Sequence, residues 1–141
     1  MEQVEAHMFY YHNLSGLGDA ETEKAAQTFT DSYVAMFKEY PDTYSPTAYM
    51  GIMELARGIE LSNSLEPGKV YDALQKNPSI GTPVRGPGKW RVDGEVEWKY
   101  LFFRVKGKGA KDRKDPKWDF AQVTGGTPDD GATPTIQEMG Y

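Results

Sequence analysis

The chain has 141 residues, of which 38% are hydrophobic and 13% aromatic, and its formal net charge is −5. Length and composition fit one globular domain, and the acidic balance excludes the basic field that nucleic acids or anionic membranes require. Cysteine is absent, which excludes disulfides, thiolate metal sites and cysteine nucleophiles.

The N-terminal residues carry no targeting signal. Met1 is followed by EQVEA, which has neither the basic head nor the apolar run of a signal peptide. No stretch approaches the roughly 20 apolar residues of a membrane span. We therefore expect either a cytosolic protein or a chain whose true N-terminus is missing from this sequence.

A strand and a long helix are predicted at the start of the chain. Alternating apolar residues in Gln3–Tyr11 predict a strand that breaks at Asn13. Asp19 is the predicted N-cap of a helix over residues 20–40, which Pro41 ends. The apolar stripe of this helix is expected to face the core.

The most regular helical pattern lies in Ser45–Leu61. Ser45 is the predicted N-cap, and Pro46 occupies a first-turn position where a missing N–H costs nothing. Four residues at helical spacing predict a broad buried face, and the helix is expected to be the central one: Ala48, Ile52, Leu55 and Ile59. Gly51 and Gly58 are expected to permit a close neighbour. A short third helix is predicted over residues 66–76.

The pattern changes from helical to extended at Pro78. Gly and Pro turns, with Asp93-Gly94 among them, predict hairpin geometry. Val96–Val105 is predicted to be one strand at the centre of a covered sheet, because its second half is apolar on both faces. Trp118–Thr124 is a predicted edge strand, and residues 125–141 form a predicted irregular tail.

Catalytic and metal-binding signals are weak in this sequence. His7 and His12 are its only imidazoles, and the two-His spacing of metalloproteases does not occur, so both are expected to be ordinary surface or loop residues. The paired acids Asp129 and Asp130 lie in the predicted tail, where nothing shifts a pKa toward neutrality. We expect no metal, no cofactor and no enzymatic activity.

Tyr10 and Tyr11 are the predicted ligand-binding residues. They stand at the carboxyl end of the first strand, where open α/β sheets bind ligands, and tyrosine offers both a ring and a hydroxyl. Adjacent strand residues face opposite ways, so at most one of them points into a given cleft. Packing in the core is the alternative, and it is the commoner fate of strand aromatics.

The ordered set of elements resembles the C-terminal portion of a type I periplasmic solute-binding protein, of the branched-chain amino acid group that serves ABC transporters. The resemblance covers Val4–Thr124. It rests on FTDSYVAMFKEYP, with Phe29, Tyr33 and Phe37, on AYMGIMELARGIELSNSLEPGKVYDAL, on GPGKWRVDG and on the strand from Tyr100 to Lys106 with the glycines that follow. Family chains are well over twice this length, so the resemblance implies that this chain is a fragment.

The resemblance implies an α/β fold, namely a partial doubly wound lobe with three helices followed by a β-rich C-terminal part. Residues 1–124 are the implied portion of the solute-binding domain. Implied partners are a small solute, such as an amino acid, a small amide or an aromatic acid, and an ABC permease in the membrane, with the protein in the periplasm. The missing N-terminal half, or self-association, is expected to cover exposed faces. An alternative is a small intracellular protein-interaction or ligand-sensing domain without a transport role.

Overall fold

The computed structural model describes residues 4–127, 134 and 137–140. Three helices precede a β-rich part, which confirms the predicted α/β class. The elements in chain order are β1 (Glu5–Met8), α1 (Ala20–Phe37), α2 (Ser45–Ser62), α3 (Pro67–Lys76), β2 (Gly88–Trp90), β3 (Val96–Trp98), β4 (Phe102–Gly107), a 3-10 helix (Ala110–Asp112) and β5 (Ala121–Thr127).

The strands form two sheets, and every pairing between the described strands is antiparallel. One sheet has the order β1-β4-β5, and the other is the hairpin of β2 and β3. β4 is central, as predicted for the second half of Val96–Val105. The prediction of a single strand there is wrong, because the backbone changes partners between β3 and β4. The N–H of Lys99 donates to Pro87 O beside the hairpin, whereas that of Leu101 donates to Thr127 O of β5.

The first helix begins where the sequence predicts and ends earlier. Asp19 caps α1 by accepting a 3.2 Å hydrogen bond from the backbone N–H of Thr22, and its carboxylate also binds Lys99 Nζ at 2.8 Å. α1 ends at Phe37 rather than residue 40, because Lys38 adopts a left-handed conformation with φ of 62°. The last three predicted residues therefore belong to the loop that precedes α2.

The N-terminus of α2 is capped by a different residue from the predicted one. Ser45 is the first residue of the helix and not its cap. Tyr44 occupies the N-cap position without a side-chain cap, and the Asp42 carboxylate before it accepts hydrogen bonds from the backbone N–H groups of Tyr44 and Ser45 and from the Ser45 hydroxyl. These bonds lower the pKa of Asp42, the Ser45 hydroxyl contributing most.

The main core lies between α1, α2 and the three-stranded sheet. It also takes up the loop that follows β1. Its buried residues are Tyr10, Tyr11, Leu14, Ala26, Phe29, Met50, Val84, Phe103, Val105, Ala121 and Val123. β5 continues to Thr127, three residues into the predicted tail; most of the remaining tail lies outside the described residues.

The prediction of a buried apolar stripe on α2 is wrong for the described part of the chain. The buried face of the helix carries Met50, Glu54 and Gly58, which face the hairpin and α3. Ile52 is 68% exposed and Leu55 51% exposed. Because each residue turns the helix by about 100°, these two side chains lie on the side opposite to Met50 and Glu54.

No helix in residues 4–127 has the length and apolarity needed to cross a bilayer.

Candidate functional site

Tyr10, a predicted ligand-binding residue, lies in the core at the end of β1. Its side chain is 1% exposed. The hydroxyl lies 3.0 Å from Thr30 Oγ1 and donates to Ala26 O at 3.4 Å. Burial raises the pKa of Tyr10 to about 12, although the hydrogen bond with Thr30 opposes this shift. The hydroxyl therefore stays protonated and links β1 to α1.

Tyr11, the second predicted ligand-binding residue, is also buried, with 3% of its surface exposed. Its hydroxyl donates to Trp118 O at 2.7 Å and accepts from the Ala121 N–H at 3.3 Å. Burial raises the pKa of Tyr11. Both tyrosine hydroxyls are thus engaged within the chain, and the ligand role of Tyr10 and Tyr11 stays a prediction.

A cavity of about 170 Å³ opens beside these tyrosines at the carboxyl end of β1. Three rings from distant segments meet at its wall: the His12 ring centroid is 4.3 Å from that of Tyr40, and Tyr40 is 5.8 Å from Trp118. Burial lowers the pKa of His12 more than the nearby carboxylates Asp119 and Asp115 raise it. The imidazole at this wall is therefore neutral at pH 7.

A second cavity, of about 330 Å³, lies between α2 and the β2–β3 hairpin. We call it the hairpin cavity. This volume falls within the range of small-molecule sites. The lining is mainly apolar and aromatic but includes the three charged residues Glu54, Arg85 and Glu95: Thr47, Met50, Gly51, Glu54, Ile80, Arg85, Trp90, Gly94, Glu95, Val96, Trp98 and Leu101.

Glu54 is buried at 4% exposure and fully engaged. Its carboxylate binds Arg57 Nη2 at 2.7 Å and accepts hydrogen bonds from the Gly81 N–H at 2.7 Å and from Trp90 Nε1 at 3.0 Å. Burial raises the pKa of Glu54, but these hydrogen bonds outweigh it and the net pKa is lowered. Glu54 is thus an ionised, paired group that ties α2 to the hairpin.

Arg85 is buried at 7% exposure. Unlike Glu54, it contacts backbone carbonyls and aromatic rings and not a side chain of opposite charge. Nε donates to Phe9 O and Nη2 to Leu101 O, both at 3.0 Å. The guanidinium lies 5.3 Å from the centre of the Phe9 ring and 5.5 Å from that of Trp98. Within residues 4–127 no carboxylate forms an ion pair with Arg85. Among the described residues, the lining of the hairpin cavity therefore carries the buried, paired anion Glu54, the exposed anion Glu95 and the buried Arg85 cation, which forms no ion pair.

Sequence reasoning identified none of the three charged residues of the hairpin cavity. The predicted buried stripe of α2 did not include Glu54, and Arg85 lies in a Gly/Pro-rich turn that carries no motif. A Glu three residues before an Arg inside an apolar helix was the one available signal. No cluster of His, Asp or Glu able to hold a metal ion occurs in the part of the chain that the structure describes.

Comparisons with known proteins show the fold. No protein-family model and no curated protein matches the chain. A periplasmic binding protein from Burkholderia mallei superposes with a TM-score of 0.74 and 22% identity, over 97% of this chain and 33% of its own. A branched chain amino acid ABC transporter periplasmic ligand-binding protein from Burkholderia xenovorans LB400 gives 0.73 and 20%, over 91% and 31%.

These two neighbours confirm the resemblance predicted from the sequence at the level of the fold. The chain has the fold of a part of a periplasmic binding protein, with three helices followed by the β-rich segment. It spans about a third of the length of each neighbour.

Proposed function

We propose that this chain is part of a solute-binding component of an ABC transporter, and that it works outside the cytoplasm. The observation that carries the proposal is the shared fold, which extends over 97% and 91% of the chain in the two periplasmic proteins. The solute is an amino acid or a related small amide or aromatic acid, and the membrane partner is an ABC permease. The solute is bound and released unchanged, so the proposal includes no enzymatic step.

The exposed apolar face of α2 supports the proposal that this chain is part of a larger protein. Ile52 and Leu55 present adjacent apolar surface to solvent, with Ala48 beside them. Surface of this kind commonly marks an interface. Since the two solved neighbours are about three times longer, we propose that this face packs against polypeptide that supplies the rest of the two-lobe fold.

The solute is proposed to lie between the two lobes, so the present chain contributes only one side of the cleft. Tyr10 and Tyr11 remain the proposed contributors at the end of β1. Their engaged hydroxyls favour a supporting role, in which they hold the ring of His12 and the adjoining cavity in place. A direct contact would require one of the two rings to leave the core.

Calorimetry against branched-chain and aromatic amino acids, small amides and aromatic acids tests the proposal. The 141-residue chain alone should bind none of them better than about 1 mM, or about −4 kcal/mol, because an open half-site leaves the charges of the solute in water. The chain completed by the other two-thirds of the fold should bind one of them tightly. Failure of the completed protein to bind any of the panel would favour a protein-interaction domain instead.

A further inference from the structure

The hairpin cavity contains a buried cation, Arg85, that forms no ion pair with any carboxylate of residues 4–127. Removing a guanidinium from water costs several kcal/mol unless another charge or a full set of hydrogen bonds compensates. Two backbone carbonyls and two aromatic rings meet part of this requirement for Arg85. A guanidinium carries five N–H donors, and the structure assigns acceptors to one on Nε and one on Nη2.

We propose that the hairpin cavity is a binding site for a small organic carboxylate with an apolar or aromatic body, held by Arg85. A carboxylate matches the planar fork of a guanidinium and supplies the missing negative charge in a desolvated setting. Met50, Ile80, Val96 and the ring of Trp98 surround the apolar body of the ligand.

Of the two acidic residues that line the cavity, Glu54 and Glu95, only Glu54 is buried. The Glu54 carboxylate already accepts from Arg57, Gly81 and Trp90, so it offers no free acceptor to an ammonium group. A ligand with an amino group next to its carboxylate would bring that group toward the Arg85 cation.

All residues that line this site lie within residues 4–127. It does not depend on the proposed transport function, because each of its lining elements belongs to this chain. Failure of one proposal therefore leaves the other standing.

Phenylacetate and phenylacetamide are the matched probes, since they share the ring and differ in charge. Binding to the 141-residue chain is followed by NMR through the indole N–H signals of its three tryptophans. We expect phenylacetate to shift the signals of Trp90 and Trp98 with a Kd of about 1 mM or weaker, and phenylacetamide to bind at least tenfold more weakly. Shifts confined to Trp118, which lies at the other cavity, or equal binding of the amide would overturn the proposal.

Four variants test the site. The first three separate recognition of the carboxylate charge by Arg85 from general effects of removing a positive charge. Arg85→Gln should weaken phenylacetate binding at least tenfold and Arg85→Lys by less, because lysine keeps the charge but not the fork. Lys89→Gln is the charge-matched control, since Lys89 is exposed on β2 and pairs with Glu97 at the surface. It should bind phenylacetate like the parent.

Gly51→Leu tests the site with Arg85 in place. Gly51 lines the cavity and a Cβ there meets nothing within 4 Å, so leucine is chosen to reduce the cavity volume while Arg85 is kept. This variant should weaken phenylacetate binding at least tenfold. Undiminished binding by Gly51→Leu or by a folded Arg85→Gln would overturn the proposal, and Gly51→Leu decides alone if Arg85→Gln does not fold.

Discussion

The indole N–H of Trp90 donates a 3.0 Å hydrogen bond to the carboxylate of Glu54, and so fixes the hairpin of β2 and β3 to the middle of α2. The same carboxylate binds Arg57 on its own helix and the N–H of Gly81 in the segment before the hairpin. One buried anion thus joins three segments, and the hairpin cavity lies beside it.

Substitution of Glu54 should lower the free energy of unfolding. The loss should be larger when fewer acceptors remain for these hydrogen bonds. Glu54→Leu leaves the Trp90 and Gly81 N–H groups without an acceptor and Arg57 without its counter-charge, with only Asn77 O left to accept from it, so we expect a loss of about 3 kcal/mol in the free energy of unfolding. Glu54→Gln keeps a neutral oxygen and should lose about 1 to 2 kcal/mol. Urea denaturation measures both.

Glu60→Gln is the control for the Glu54 variants, since Glu60 is exposed on the same helix. It should change the free energy of unfolding by no more than about 0.5 kcal/mol. A Glu54→Leu protein as stable as this control would show that the hairpin is held to α2 by apolar packing alone.

Local sequence signals predict the helices of this fold, but they do not predict which elements pack against one another. The Asp19 cap and the helical periods predict α1, α2 and α3 within a few residues, because each signal lies inside its own segment. The helical period of α2 indicates that one face is more apolar than the other, but it does not show which face packs against the rest of the chain. The stripe with Ile52 and Leu55 is the more apolar one, yet the face with Glu54 is buried.

The candidate site was harder to predict because it depends on contacts between distant residues. Arg85 donates to Phe9 O across 76 positions of sequence, and no local pattern encodes that bond. The end of β1 was predicted as a ligand region, and a cavity lies there. The same sequence reasoning could not decide whether Tyr10 and Tyr11 face that cavity or the core.

The two glycines of α2 form a matched pair for testing the contact between α2 and α3. A Cβ at Gly58 would lie 2.8 Å from Val70 Cγ1 and 3.1 Å from Leu74 Cγ, whereas a Cβ at Gly51 meets nothing within 4 Å. Gly51→Ala should therefore stabilise the chain by about 1 kcal/mol through helix propensity. Gly58→Ala should destabilise it by about 1 to 2 kcal/mol, because the β-branched Val70 cannot give way cheaply.

Thermal or urea unfolding of the two alanine variants measures this difference. If Gly58→Ala gained as much stability as Gly51→Ala, the two helices would lie further apart than the structure shows.

His12 should make stability depend on pH near neutrality. Burial lowers the pKa of His12 in the folded chain, so the unfolded chain binds the proton more readily. The stabilising effect of the neutral ring is complete above the unfolded pKa, about 6.5, and is lost as pH falls from there toward the folded pKa. The free energy of unfolding should therefore decrease between about pH 7 and pH 5.

His12→Phe keeps a ring against Tyr11 and Tyr40 but removes the titrating group. Its free energy of unfolding should change less with pH over the same interval, as measured by urea denaturation at pH 7 and pH 5. A slope equal to that of the parent would assign the pH dependence to other groups.

The exposed face of α2 should matter for assembly and not for the stability of this chain. Ile52→Glu with Leu55→Lys places opposite charges three residues apart on that face, and both positions are largely exposed. We expect a change in the free energy of unfolding of no more than about 1 kcal/mol for the pair. The same variant should reduce binding of an apolar dye and prevent association with the polypeptide that completes the fold, because charges on the contact face would be desolvated without partners.

Met50→Lys is the control, since Met50 is buried on the opposite face and its replacement should unfold the chain. If the charged pair unfolded the chain as Met50→Lys does, the face would be internal to this chain. If the pair left association unchanged, the completing polypeptide would bind elsewhere on the molecule.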